Sequence, residues 1–262
     1  MSRTALTFDC QGMTLAATLD IAPRTTGLLY ISGGNEIRSG AFSGQAHLAA
    51  RIAAAGFPVF RFDRRGIGDS DGENSGFRNS RIDIETALGT FRAMAPHMTQ
   101  VVGFGNCDAA SALMLAGGAG CDGLVLSNPW TIENGDNTPP PSAVRSRYLE
   151  KLKNPKEIWR LLSGGVNLKK LARGLGQAAK SGAGPSSLAQ EMAANIAGFS
   201  GPVHILLATS DRTAQIFENA WNRNDPRIAR CQGASHAYVE PDAMQWLESR
   251  LLGALGNQVA EP

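Results

Sequence analysis

The sequence predicts an α/β fold: a mostly parallel central sheet with helices on both faces and an inserted helical cap. Three observations predict it. Short continuous apolar runs, typical of strands buried on both faces, alternate with segments whose apolar residues recur at helical spacing. The runs end in turn-forming loops, several of them rich in glycine. The alternation stops at residue 130 and resumes near residue 200, dividing the chain into a core of 1–130 and 200–262 and a cap of 131–199.

The elements follow in order. Residues 3–8 and 13–21 read as two antiparallel strands joined near Gln11 and Gly12. Residues 27–31 are a buried strand that stops at Ser32-Gly33-Gly34-Asn35. Residues 42–55 have helical spacing, and Gly56 closes them. A strand over 58–63 leads into the loop Arg64-Arg65-Gly66-Ile67-Gly68-Asp69-Ser70, and a helix follows over 80–95. The apolar run at 101–104 leads through Gly105 to Cys107, and small residues carry a helix from there to Gly117 and Gly118. Residues 122–126 form a strand ending at Ser127-Asn128-Pro129-Trp130. Three prolines at 139–141 mark a linker, and 142–199 carries no strand pattern. A strand at 202–208, a helix at 213–221, a short strand at 227–230 and a closing helix at 241–255 complete the chain.

Composition bounds the function. A chain of 262 residues with 43% hydrophobic and 18% charged residues is ordinary for a globular protein. A net charge of +2 gives no electrostatic footprint for nucleic acid. No run is long and apolar enough for stable membrane insertion, and the N-terminus lacks the charged start and apolar run of a signal peptide. The four cysteines have neither metal-type nor framework spacing, which predicts free thiols in a reducing, cytoplasmic setting. The histidines and cysteines predict no metal site, and no glycine fingerprint for a dinucleotide follows a strand, so no cofactor is expected.

The chemistry centres on Gly105-Asn106-Cys107-Asp108-Ala109. Strand, tight turn and helix in that order form a nucleophile elbow of the G-x-S-x-G type, with sulfur at its tip and alanine in place of the last glycine. Small residues let the helix pack close to the strand it leaves. A buried cysteine is ordinarily packing material, so the catalytic reading requires partners. In folds with such an elbow the chain order is nucleophile, acid, base. Asp211 ends the strand after the cap, although it also suits a helix N-cap. His236 lies in the loop before the last helix, whereas His47, His97 and His204 sit within a helix, at a helix end and at a strand start. An oxyanion needs N–H donors. The backbone of Asp108 and of Gly34 would supply them, with Gly33 or Asn35 as alternatives. Asn35, Asn106 and Trp130 flank these groups in the chain and are assigned to substrate. Asp108 can cap its helix or contact substrate. Arg64, Arg65 and Asp69 can bind an anionic group or hold their own loop.

These residues resemble the α/β-hydrolase superfamily across nearly the whole chain, including its loop D-x-R-G-x-G-x-S at residues 63–70. The elbow, the run Trp159-Arg160-Leu161-Leu162-Ser163-Gly164-Gly165-Val166-Asn167-Leu168 and Gly233-Ala234-Ser235-His236 resemble the exosortase A system-associated hydrolase 1 family. That resemblance implies a triad of Cys107, Asp211 and His236 and a genomic setting near exosortase and exopolysaccharide genes. The cysteine nucleophile is also similar to that of dienelactone hydrolase, which the inserted cap argues against. The expectation is an acyl hydrolase or acyltransferase acting on a small acyl substrate, such as a coenzyme A thioester or an acylated saccharide. A binding module that kept the fold without catalysis is the alternative.

Overall fold

The structure is a computed structural model, and it describes residues 2–132 and 186–256. Strands β1 (Ser2–Cys10) and β2 (Met13–Ile21) form a hairpin, turned by Gln11 and Gly12 at positive φ. Then come β3 (Thr26–Ile31), α1 (Gly44–Ala54), β4 (Val59–Phe62), α2 (Arg81–Met94), β5 (Gln100–Asn106), α3 (Asp108–Leu115) and β6 (Gly123–Ser127). The chain resumes with α4 (Ser187–Ile196), β7 (Val203–Ala208), α5 (Arg212–Ala220), β8 (Ile228–Cys231) and α6 (Pro241–Gly256).

The eight strands form one sheet in the order β1-β2-β4-β3-β5-β6-β7-β8. Only the β1–β2 and β2–β4 pairs are antiparallel; β4, β3, β5, β6, β7 and β8 run parallel. The expected sheet is therefore present. Its parallel strands deliver their carboxyl ends, and the loops after them, to one edge, where open α/β sheets hold their ligands.

Two cores flank the sheet, because successive residues of a strand face opposite sides. Leu29 and Ile31 of β3, Phe60 of β4 and Val101 of β5 pack under α2, α3, α4 and α5. Leu28, Tyr30, Val59, Val102 and Phe104 face α1 and α6 instead. This explains why these strands read as unbroken apolar runs.

Two sequence expectations shift. The helix expected from residue 42 begins at Gly44. Ala41–Ser43 is a 3-10 turn with Phe42 and Ser43 at positive φ, and Phe42 is fully exposed, not packed inside a helix. The cap expected over 131–199 falls mainly outside the described residues. Its last described part, α4, buries Leu188, Ala189, Met192 and Ile196, and Leu188, Met192 and Ile196 join the same core as α3. Ser186 caps this helix by accepting from the Ala189 N–H at 3.1 Å.

If α4 is part of the core, Met192→Ala should remove about 2–5 kcal/mol of stability, as for a large-to-small change in a packed interior. Urea unfolding measures this, and a loss under about 0.5 kcal/mol, the range of surface substitutions, would show that α4 contributes little to the core.

Candidate active site

β5 ends at Asn106 and α3 begins at Asp108, so the whole turn is Cys107. Its φ of 63° and ψ of −128° are strained for a side-chain-bearing residue, at a cost of about 1–3 kcal/mol. The reason is the close approach of α3 to β5. A Cβ on Gly105 would lie 2.6 Å from the Ala109 carbonyl carbon and 2.7 Å from the Ala110 nitrogen, both backbone atoms. Glycine at 105 is therefore required, and the chain can enter the helix only through a sharp turn. Cys107 is tied to the next strand: its N–H donates to the Ser127 carbonyl at 2.9 Å, and its own carbonyl accepts from Trp130 at 3.3 Å.

Cys107 is half-buried, whereas Cys10, Cys121 and Cys231 are buried. Burial raises all three of those thiols, and it pushes Cys121 up to about 12. They are held in the protonated, inert form.

Asp211 and His236 arrive from the loops after β7 and β8. Asp211 makes two contacts through one atom. Its Oδ2 caps α5 by accepting from the Ala214 N–H at 3.0 Å, and it lies 2.9 Å from His236 Nδ1. The Cys107 side chain is the second neighbour that favours a proton on the imidazole. The Asp211 hydrogen bond, then the Cys107 side chain, raise His236 from its ordinary 6.5 to about 10, against the opposing effect of burial. The Asp211 carboxylate thus orients the ring and favours its protonated form. His97 Nε2 bonds the Ala22 carbonyl at 3.0 Å, and burial, then Arg250, lowers His204.

His236 is also fixed through its backbone. Asn128, fully buried, accepts from the Ala208 N–H at 2.8 Å and donates to Asn106 Oδ1 at 3.0 Å and to the His236 carbonyl at 3.2 Å. Asn106 donates to that same carbonyl at 3.2 Å. The carboxamide assigned to substrate is thus engaged with the loop that carries the base. Tyr238 and Ser127 share a buried hydrogen bond of 3.0 Å beneath it. Asn128, Ser127 and Tyr238 were not singled out in the sequence. The signal for Asn128 was its place at the end of β6, beside the end of β5.

The glycine loop after β3 lies directly against the elbow. A Cβ on Gly33 would lie 2.5 Å from the Asn106 carbonyl oxygen and 3.5 Å from Cys107 Cβ. The Gly34 N–H donates to Asp108 Oδ1 at 2.5 Å. Arg64, almost fully buried, donates to the Gly34 carbonyl at 2.5 Å and to Ser80 Oγ at 2.9 Å, and its Nη2 is 3.8 Å from Asp108 Oδ2. Arg65 pairs with Asp83 at 2.5 Å, and Arg38 joins Asp63 and Asp69. The arginine-containing loop is thus braced by its own contacts. Asn35 is exposed and accepts from Asn74 at 2.9 Å. Trp130 stands beside the elbow, its N–H donating to Ser111 Oγ at 2.7 Å and its indole to the Ile132 carbonyl at 2.9 Å. Among the described residues there is no cluster of potential metal ligands and no helix long and apolar enough to cross a membrane.

A family model described as "Alpha/beta hydrolase family" matches residues 28–249. Among solved structures, the chain is similar to the alpha/beta hydrolase GrgF from Penicillium sp. sh18, with TM-score 0.65 and 16% identity over 98% of this chain and 99% of that one. It is also similar to Est1E from Butyrivibrio proteoclasticus, solved with ferulic acid, with TM-score 0.62 and 14% identity over 98% and 100%. XC6422 from Xanthomonas campestris, described as an a/b serine hydrolase without a lid, gives TM-score 0.59 and 14% identity over 99% and 97%. Comparison with curated proteins returns no match.

The raised His236 value has a defined pH signature. The folded state holds the proton more tightly than the unfolded chain. The stability this adds is full below about 6.5 and fades as pH rises through about 10. An NMR titration of the His236 ring should give a midpoint near 10, and Asp211→Asn should bring it down toward 6.5, the ordinary histidine value. A wild-type midpoint near 6.5 would show that the two contacts do not hold the proton.

Proposed function

Because the chain belongs to the alpha/beta hydrolase family, we propose that it is an acyl hydrolase or acyltransferase working through a Cys107–His236–Asp211 triad. The observation that carries this reading is His236 paired with Asp211 at 2.9 Å and favoured in its protonated form by the Cys107 side chain, with that sulfur at the tip of a strained turn. A thiolate next to an imidazolium is the reactive form of a cysteine nucleophile.

The steps follow from the positions. With the thiol proton on His236, the Cys107 thiolate attacks the acyl carbonyl carbon. A C–S bond forms and the carbonyl π pair moves onto oxygen, where the backbone N–H groups of Asp108 and Gly34 receive the charge. The intermediate collapses, the bond to the leaving alcohol or thiol breaks, and His236 protonates that group. Water or an acceptor alcohol or amine then gives a proton to His236 and attacks the thioester. Collapse expels the Cys107 thiolate and releases the acid or the transferred acyl product. Asp211 holds the imidazole orientation throughout.

Sulfur narrows the substrate. The acyl-enzyme is a thioester, close in energy to a thioester substrate and uphill from an unactivated ester. Coenzyme A thioesters and activated esters are favoured on this ground. The exosortase-associated resemblance supports an acylated saccharide as the other candidate, with work in exopolysaccharide production. Reduced, buried thiols support a cytoplasmic setting. Exposed Asn35, together with Trp130 at the elbow, is the proposed substrate contact. The inserted segment, 131–199, is proposed as the specificity cap, less α4.

Turnover of acyl thioesters and of p-nitrophenyl esters of graded length tests this reading. Cys107→Ala should lose roughly 10⁴-fold or more in kcat. Cys107→Ser should keep a weak activity, down at least about 100-fold, since a hydroxyl needs a stronger base. Turnover by Cys107→Ala at the wild-type rate would remove the proposal.

A further inference from the structure

The Gly34 N–H, needed for the oxyanion, already has an anion on it: Asp108 Oδ1 at 2.5 Å. That oxygen would also lie 3.0 Å from a Cβ built on Gly33, which itself would be 3.5 Å from Cys107 Cβ. A carboxylate oxygen of the residue after Cys107 therefore sits on the donor assigned to the substrate's carbonyl oxygen. Backbone donors aimed at a developing negative charge bind a carboxylate for the same reason that they bind an oxyanion.

The carboxylate has a second partner ready. Arg64 Nη2 lies 3.8 Å from Oδ2, close enough for an ion pair but too far for a hydrogen bond. Arg64 is anchored by the Gly34 carbonyl and by Ser80 Oγ, and its side chain is 5% exposed. The Asp108 side chain is 17% exposed and borders solvent. Rotation of that carboxylate would exchange one charge-assisted hydrogen bond for another. Since Arg64 also holds the Gly34 carbonyl, the glycine loop would keep its place while its N–H became free.

We propose that the Asp108 carboxylate occupies the oxyanion hole of the free enzyme and moves onto Arg64 when a substrate carbonyl enters. This rests on the acyl-transfer reading above. Asp108 then has opposed roles in two groups: its backbone N–H serves the oxyanion, and its side chain competes with it. Arg64 is a positioning residue that receives the displaced carboxylate and steadies the loop.

The experiment compares two reactions of the same thiol in the full-length protein. Alkylation by iodoacetamide reports the reactivity of Cys107 without an oxyanion hole. The burst of p-nitrophenolate from p-nitrophenyl acetate reports acylation, which needs the hole. Their ratio cancels any change in thiol reactivity caused by removing a nearby charge. In Asp108→Ala the ratio of acylation to alkylation should rise about tenfold, a fraction of the 10²–10³ that one oxyanion donor is worth. Asp108→Asn, nearly isosteric and uncharged, should raise it less. Arg64→Gln should lower it. A ratio in Asp108→Ala at or below wild type, restored by Asp108→Asn, would mean that Asp108 latches the loop in a working position, and would overturn the proposal. If wild-type Cys107 alkylates but neither the ester nor an acyl thioester gives a burst, the acyl-transfer reading itself fails, and this inference with it.

Discussion

The contact between β5 and α3 is the constraint on which the rest of the site depends. Gly105 brings strand and helix to a backbone approach that no Cβ could enter. The connection is therefore a single residue, and that residue, Cys107, is held at positive φ. Strain of this kind persists only where the surroundings over-determine it. Here the Cys107 N–H is bonded to Ser127, and its carbonyl to Trp130 and Ser111. The same turn sets the start of α3 at Asp108 and leaves room for Gly33 to lie against the backbone of Asn106 and the Cβ of Cys107.

Around that turn, polar groups are arranged in layers of decreasing exposure. His236 meets solvent, while Asp211, Asn128 and Ser127 behind it are buried. A half-exposed imidazole alone would sample many positions. Its ring is held by Asp211 and its main chain by Asn106 and Asn128, so both the plane and the height of the ring are set. This is the kind of support that keeps a reactive group in working geometry. On the opposite side, Arg64 does the same for the glycine loop from within the protein.

The sheet was legible because burial on both faces leaves a continuous apolar run, and 27–31 and 101–104 are such runs. The elbow was legible because small residues clustered where strand and helix must touch. Other features depend on information that periodicity does not carry. The positive φ of Phe42 and Ser43 breaks what looked like one helix, since apolar spacing says nothing of a backbone kink. Asn128, just after β6, reaches the His236 carbonyl in the loop after β8, and that adjacency is known only once the strand order is known. Asn106 shows the same dependence: its contact with the His236 carbonyl joins the end of β5 to a loop far along the chain. Asp211 resisted a choice between cap and triad acid because one oxygen makes both contacts.

The central claim is that the sulfur at the elbow carries the acyl group. Quenching the full-length protein during turnover of an acyl thioester, then mapping its peptides by mass spectrometry, tests it most directly. The acyl mass should appear on the peptide containing Cys107, with Cys10, Cys121 and Cys231 unmodified, as their burial requires. Turnover without an adduct on Cys107, or an adduct on another residue during turnover, would contradict it.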